Sequence, residues 1–302
     1  SIGAEWSTHA IVDNVGLDYY LSYNVGKYTI DSRVSNGYDS QYLNGEWNDA
    51  NMFGWTFVDK GNGNYMISDG NQFLAAQEDG RVVMTNDTTL SYLWTLKTLE
   101  QRLAELANAT PENPVDATFL IQGANFSRND QRNYAWSMEA NNWTLSGGTY
   151  ENRCAETYHT TFTLAQTLYN APAGKYLVSA QGFYRQDDGL VEELPVVYAN
   201  TSTVAFPAKD GVENSISDAS ESFSAGLYNI EPFVVNVSEA GALTIGARGT
   251  ALSAWVIFDN FRLTYLSSEV DIDDIAADYA QVLADAKAAL ESEHYAMVTG
   301  II

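Results

Sequence analysis

Thr160-Thr-Phe-Thr-Leu-Ala-Gln-Thr-Leu-Tyr-Asn-Ala-Pro-Ala-Gly-Lys-Tyr-Leu-Val-Ser-Ala-Gln-Gly-Phe-Tyr-Arg185 is the stretch that decides the fold. Apolar and polar residues alternate on both sides of Pro172-Ala-Gly174, which predicts a β-hairpin with one buried face. A third run of the same kind, Trp255-Val-Ile-Phe-Asp-Asn-Phe-Arg-Leu-Thr-Tyr-Leu266, closes the same region. Leu194-Pro-Val-Val-Tyr198, Phe233-Val-Val-Asn-Val237 and Ala242-Leu-Thr-Ile-Gly246 read as further strands, with Phe119–Phe126 opening the set. Turn signals separate them and no helix is expected between them, as in an antiparallel sandwich.

Outward from this core the pattern changes twice. Thr98–Asn108 spaces Leu99, Leu103 and Leu106 for a short amphipathic helix, stopped by Pro111 and Pro114. At the other end Ile272, Ile275, Tyr279, Val282, Leu283, Ala286 and Leu290 recur at helical spacing, with acidic residues outside the stripe. The first hundred residues carry a repeat. Tyr19, Trp55 and Trp94 recur at intervals of roughly forty residues, and Lys27-Tyr-Thr-Ile-Asp31 has its counterpart in Asn64-Tyr-Met-Ile-Ser68.

These patterns carry two resemblances. The paired strands of 160–185 and 255–266 resemble the jelly roll of galactose-binding-like, carbohydrate-binding modules. The three units of residues 1–97 resemble the β-trefoil of ricin-type lectin modules, although Phe53 and Tyr92 stand where that family's Gln-x-Trp signature has Gln. The expected fold class is therefore mostly β. Residues 1–97 form a β-trefoil-like domain with an incomplete first repeat, 98–114 a helical linker, 115–267 a galactose-binding-like jelly roll, and 268–302 the start of a helical module. Together the resemblances imply a secreted or cell-surface bacterial protein, extracellular in location.

Composition narrows the function classes. Fifteen Lys+Arg face 39 Asp+Glu, a formal net charge of −24, which repels phosphate backbones and anionic headgroups. Nucleic acid and direct membrane insertion are thus excluded as partners, while neutral sugars feel no such repulsion. Cys154 is the only cysteine, so an internal disulfide is ruled out. The apolar ending Met297–Ile302 reads as chain that continues into further domains of the same polypeptide.

Catalytic constellations are sparse. Cys154 and His159 lie five residues apart without a Gly-rich elbow, and strand placement accounts for both. His9 and His294 offer no zinc spacing. Asp187-Asp188 and Glu192-Glu193 crowd one loop, where adjacent carboxylates normally splay into water. In Asp271-Ile-Asp-Asp274 the aspartates read as helix-start residues, because Ala276 and Val282 replace the Gly and Glu of an EF-hand. The chain reads as non-enzymatic.

Sugar recognition needs an exposed ring flanked by planar hydrogen-bonding groups. Trp143 with Asn142, Tyr150, Arg185 with Asp187, and Trp255 supply those types. By the jelly-roll resemblance, Asp259 in the last strand would hold a structural Ca²⁺ against the first strand's turn at Asn125. The expected function is non-catalytic carbohydrate binding or adhesion toward a glycan or glycoprotein. The alternatives are a structural spacer or protein-interaction module, and the ancillary region of a larger glycoside hydrolase or protease.

Overall fold

Short alternating runs broken by glycine and asparagine build strands throughout. The computed structural model describes residues 6–12, 18–24, 27–31, 41–42, 45–46, 55–76, 82–95, 97–124, 126, 136–140, 143–145, 154–187, 193–250, 254–270, 280, 282–288 and 290. Strands β1 (Trp6–Val12), β2 (Asp18–Asn24), β3 (Lys27–Asp31), β4 (Gln41–Tyr42) and β5 (Gly45–Glu46) form one antiparallel sheet in chain order. A second sheet holds β6 (Thr56–Gly61), β7 (Asn64–Ser68), β8 (Phe73–Ala76), β9 (Val82–Thr85) and β10 (Trp94–Thr95). The sequence repeat is thus a strand repeat, hairpin followed by two short strands. Asn62 and Gly63 close the second hairpin with φ of 55° and 75°, the left-handed pair that a tight hairpin turn requires. Ile67, Leu74 and Ala75 are buried in this sheet, and the Trp94 indole donates to the Leu74 carbonyl (2.9 Å).

Helix α1 (Leu99–Leu106) begins with a capping box. Thr98 Oγ1 accepts from the Gln101 amide, and the Gln101 side chain accepts from the Thr98 amide. Leu106 is buried in the same core as the strands that follow, and Leu103 packs against that core. The Arg102 guanidinium lies over the Phe119 ring, 4.5 Å from its centroid, and reaches Asp116. The helix is therefore fastened to the sandwich rather than tethered beside it.

That sandwich has two facing antiparallel sheets in jelly-roll order. After β11 (Val115–Asp116) and a 3₁₀ turn at Thr118–Leu120 come β12 (Ser137–Ala140), β13 (Trp143–Leu145), β14 (Ala155–Tyr158), β15 (Phe162–Leu168) and β16 (Gly174–Gln186). They are followed by β17 (Val196–Ala199), β18 (Ser202–Ala205), helix α2 (Ile216–Ser224), β19 (Phe233–Val237), β20 (Leu243–Gly249) and β21 (Ala254–Ser267). One sheet runs β13-β14-β21-β16-β19 with β11 added on β21, and the other β12-β15-β20-β17-β18.

The predicted hairpin at 160–185 is corrected by this topology. β15 pairs β12 and β20, whereas β16 pairs β19 and β21, so Pro172-Ala-Gly174 carries the chain from one sheet to the other. Both runs still bury one face, Phe162, Leu164 and Leu168 opposite Tyr176, Val178 and Ala180. An arch between facing sheets and a hairpin within one sheet need the same alternation. The arch's carbonyls are met by buried tyrosines. Tyr176 donates to Pro172 O and Tyr265 to Ala173 O, both at 2.6 Å.

Two further expectations are corrected. Phe119–Phe126 is not a strand but a 3₁₀ turn running into tight turns, with Phe126 at φ 52° and its ring in the core. A helix does interrupt the strands. Ser215 caps α2 by accepting from the Asp218 amide, and Ala219 and Phe223 are buried against the outer face of the sandwich sheet that carries β16 and β21. At the C-terminal end residues 282–288 are helical, with Val282 and Leu283 exposed.

Candidate functional site

The core-distal face of the sandwich sheet β13-β14-β21-β16-β19 positions the candidate site. In β16 strict alternation ends at Ala180, because Gln181, Gly182 and Phe183 are all buried. The cause is α2, which makes a second core on the outer face from Cys154, Phe183, Ala219, Phe223, Trp255 and Ile257. Gln181 fastens it, its Nε2 donating to the carbonyls of Phe223 (3.0 Å) and Leu227 (2.9 Å). Opposite Gln181, β21 carries one extra residue between its pairings Gln181↔Asp259 and Ser179↔Arg262. This bulge, with Asn260 at φ 52°, lets Val256 and Phe258 on one side and Phe261, Leu263 and Tyr265 on the other all reach the inner core.

Beyond the helix the same face opens to solvent at one row. Tyr158 of β14 pairs with Trp255 of β21, and Trp255 pairs with Arg185 of β16. Residues directly paired across strands share a face, so the three line up side by side. The Arg185 guanidinium lies 4.8 Å from the Trp255 ring centroid. Arg185 Nε and Nη2 grip Asp187 at 2.5 and 3.1 Å, and Nη1 donates to Asn214 Oδ1 at 2.7 Å. His159 Nε2 donates to Asp187 Oδ2 at 2.9 Å. Its ring stacks on Tyr158 with centroids 4.0 Å apart and planes 14° from parallel. His159 sits at φ 50°, the backbone bend that turns the imidazole from strand end toward Asp187.

The row is graded in exposure. Tyr158 is 50% exposed, while Trp255 is 4% exposed beneath Arg185 and against Phe183. The Trp255 indole N–H donates to Glu156 Oε2 at 2.8 Å. The ring open to a flat ligand is therefore Tyr158, with Trp255 as the wall behind Arg185. Burial pushes the Glu156 carboxyl above its usual range, against the Trp255 bond, which lowers it. Hydrogen bonding to Arg185 holds Asp187 below the usual aspartate value, helped by His159 and opposed by burial, and raises Arg185 in turn.

Asp187 therefore stabilises the rim only while ionised. Its folded pKa is depressed, so the contribution is fully present above the unfolded value and is lost as pH falls through the lower folded one. The Arg185–Asp187 grip is expected to persist at about pH 5 and to open only below about pH 4. The Arg185 Nε–H resonance in a pH-titrated NMR spectrum checks this; loss of the resonance shift at pH 5 would contradict it.

Of the residues picked out from the sequence, Arg185, Asp187 and Trp255 are in contact. Trp143 pairs with Thr157, one register step from the row of Tyr158. Asn142, Tyr150 and Asn125 lie outside the described residues. Asp259 is fully buried, its Oδ1 accepting the Asn260 amide (2.7 Å) and its Oδ2 lying 3.9 Å from Cys154 Sγ. A hard cation takes six or more oxygen ligands. Among the described residues no three His, Cys, Asp or Glu side chains cluster for a metal.

Tyr158, His159 and Asn214 were not singled out for this site, since only strand pairing brings them to Arg185. The Cys154–His159 pair makes no nucleophile–base contact, as the thiol faces Asp259 and the imidazole Asp187. Glu213, 5% exposed, is a second buried acid in the α2 region. Burial alone would raise its pKa, but bonds from Ser222 (2.6 Å) and Tyr228 (2.9 Å) bring it below the usual range. It ties the 211–214 loop to the helix. Among the described residues no helix is long and apolar enough to cross a membrane.

No family model matches the chain, and no curated protein is significantly similar to it. Solved structures are similar over parts of it. TmCBM61 in complex with β-1,4-galactotriose is 14% identical over 42% of this chain and 86% of that one, with a TM-score of 0.26. The K3 cleaved adhesin domain of Lys-gingipain from Porphyromonas gingivalis is 15% identical, covering 51% of this chain and 95% of that one at a TM-score of 0.26. A Clostridium thermocellum xylanase structure with CBM22-1 and GH10 modules, complexed with xylohexaose, is 11% identical at a TM-score of 0.28. The similarity covers 52% of this chain and 29% of the xylanase chain.

Proposed function

We propose that the chain is a non-catalytic carbohydrate-binding or adhesion protein of the bacterial surface or secretome, with its sugar site at the rim of the jelly roll. One observation carries this: a half-exposed Tyr158 ring, backed by a parallel His159, beside the planar polar groups of Asp187, Arg185 and Asn214. Sugar C–H faces stack on such rings while carboxylate, amide and guanidinium groups take the hydroxyls. Among the described residues the Cys154 thiol faces Asp259 and the His159 imidazole faces Asp187. In this reading residues 1–97 are a β-trefoil-like domain and 98–114 a helical linker. Residues 115–267 are the binding jelly roll, and 268–302 begin a helical module.

A glycan-array screen of the whole chain, followed by calorimetry on the best ligand, tests it. Tyr158→Ala is expected to weaken binding at least about tenfold, as loss of one aromatic contact does, with the far-UV spectrum unchanged. Full affinity in Tyr158→Ala would move the site elsewhere. Absence of binding to every glycan at millimolar concentration would leave the spacer or protein-contact role.

A further inference from the structure

Arg185 has the charge to bind an acidic sugar, yet three of its five N–H donors, one on each nitrogen, are already engaged. Nε and Nη2 are held by the two oxygens of Asp187, Nη1 by Asn214, and one face of the guanidinium by Trp255. The cation and Asp187 cancel, and Asp187 also accepts from His159 on its Oδ2. Glu156 stands behind Trp255 on the same face, in a chain with a formal charge of −24. An incoming carboxylate or sulfate would have to displace Asp187 from a bidentate grip, or take the remaining N–H groups of Nη1 and Nη2 beside the Asp187 carboxylate, on a cation whose charge is already balanced. A neutral sugar needs neither. It meets Tyr158 with a C–H face and finds lone pairs on Asp187 and Asn214 for its hydroxyls.

Resting on the glycan-binding reading, we infer that the rim selects uncharged sugar chains, and that Asp187 enforces the choice by occupying Arg185. Exclusion of the wrong ligand by a built-in like charge is a general route to specificity. Asp187 is thus both a hydroxyl acceptor and the counter-ion that withholds the Arg185 guanidinium.

The test compares neutral hexose and pentose trisaccharides with uronic-acid trisaccharides of matched linkage, by calorimetry on the whole chain. At about 20 mM salt the neutral member is expected to bind at least about tenfold tighter. Its affinity should stay level up to about 500 mM salt, where exposed charges are screened, while the gap to the uronate narrows. Asp187→Asn releases Arg185, and is expected to shrink or invert the preference by improving uronate binding. Arg185→Met removes the cation and should keep or widen it, which guards against a trivial local disturbance in Asp187→Asn. Equal or tighter uronate binding by the unmodified chain overturns the selectivity while leaving the glycan reading intact. Failure of both sugar classes to bind overturns the glycan reading itself, and the selectivity with it.

Discussion

Phe258→Ala is expected to lower the unfolding free energy of the sandwich by about 4 kcal/mol, the range found for removing a buried aromatic ring. Phe258 is fully buried on β21 and is the hub of the aromatic core. Its ring lies 5.7 to 6.3 Å from those of Phe126, Phe162, Phe206 and Phe261. Those four come from the opening turn, from β15 of the facing sheet, from the segment after β18 and from beyond the bulge. Their backbones are fixed, Phe162 by its pairing with Gly249 and Phe126, Phe206 and Phe261 by amide bonds to the carbonyls of Gly123, Pro195 and Ala124, so the site relaxes only in part and a cavity remains. Gly182 sharpens this, because Phe206 and the Cβ of Phe258 already crowd its α-carbon. A domain is stable by about 5–15 kcal/mol, so the loss is a large share of the total. Urea denaturation followed by near-ultraviolet circular dichroism reads it. Tyr169→Ala, at a residue 81% exposed, is the control and should change stability by no more than about 0.5 kcal/mol. A Phe258→Ala protein as stable as that control would show that the ring is not a hub.

The alternation of 162–168 and 174–180 was legible because it reports which side chains face apolar surroundings. It is silent on which strand supplies the hydrogen bonds. Hairpin and arch therefore look alike in sequence, and what separates them is the connection. Ala171 is buried, Tyr176 and Tyr265 cap the arch carbonyls, and none of those partners is a sequence neighbour of the turn except Tyr176. Helix α2 was hidden differently. Ser217, Ser220, Ser222 and Ser224 are modest helix formers, and they outnumber the apolar residues at 216, 219 and 223 that face the sheet. Its signature was Ser215 as N-cap with Asp218 three residues on.

The candidate site divides along the same line. Arg185 and Asp187 are two residues apart, so their meeting is local and visible in the chain. Trp255 and Tyr158 join them only through the pairings of β21 with β16 and β14. The imidazole of His159 is aimed by a left-handed backbone step that a His tolerates and that periodicity does not reveal. Burial of Gln181 was equally illegible, since its outward face is closed by a helix whose bonded residue, Phe223, lies 42 residues away. Long-range placement, not residue type, separates the visible part of the site from the hidden part.

Gly174→Ala is expected to cost about 4 kcal/mol, although it adds one methyl group. Gly174 has φ 144°, a backbone region that residues with a Cβ rarely adopt, and such strain costs about 1–3 kcal/mol. A Cβ there would also overlap the Ser267 carbonyl oxygen and the Tyr265 hydroxyl, and overpacking of a tight core adds about 1–3 kcal/mol. Neither neighbour can yield cheaply. Ser267 is at the end of β21, and moving the Tyr265 hydroxyl breaks its bond to Ala173 O and leaves a half-buried carbonyl without that donor. Because Lys175 and Tyr176 pair with Ser267 and Tyr265, the strain is delivered to the pairing of β16 with β21 at the end of β16 far from Arg185. The effect on function is therefore expected to be indirect. Urea midpoints should fall steeply, while the fraction that remains folded keeps its ligand affinity, measured by calorimetry below the transition. A Gly174→Ala protein of unchanged midpoint would show that the arch is pliable. One that kept its midpoint and lost binding would place the ligand at this end of the sheet instead of beside Tyr158.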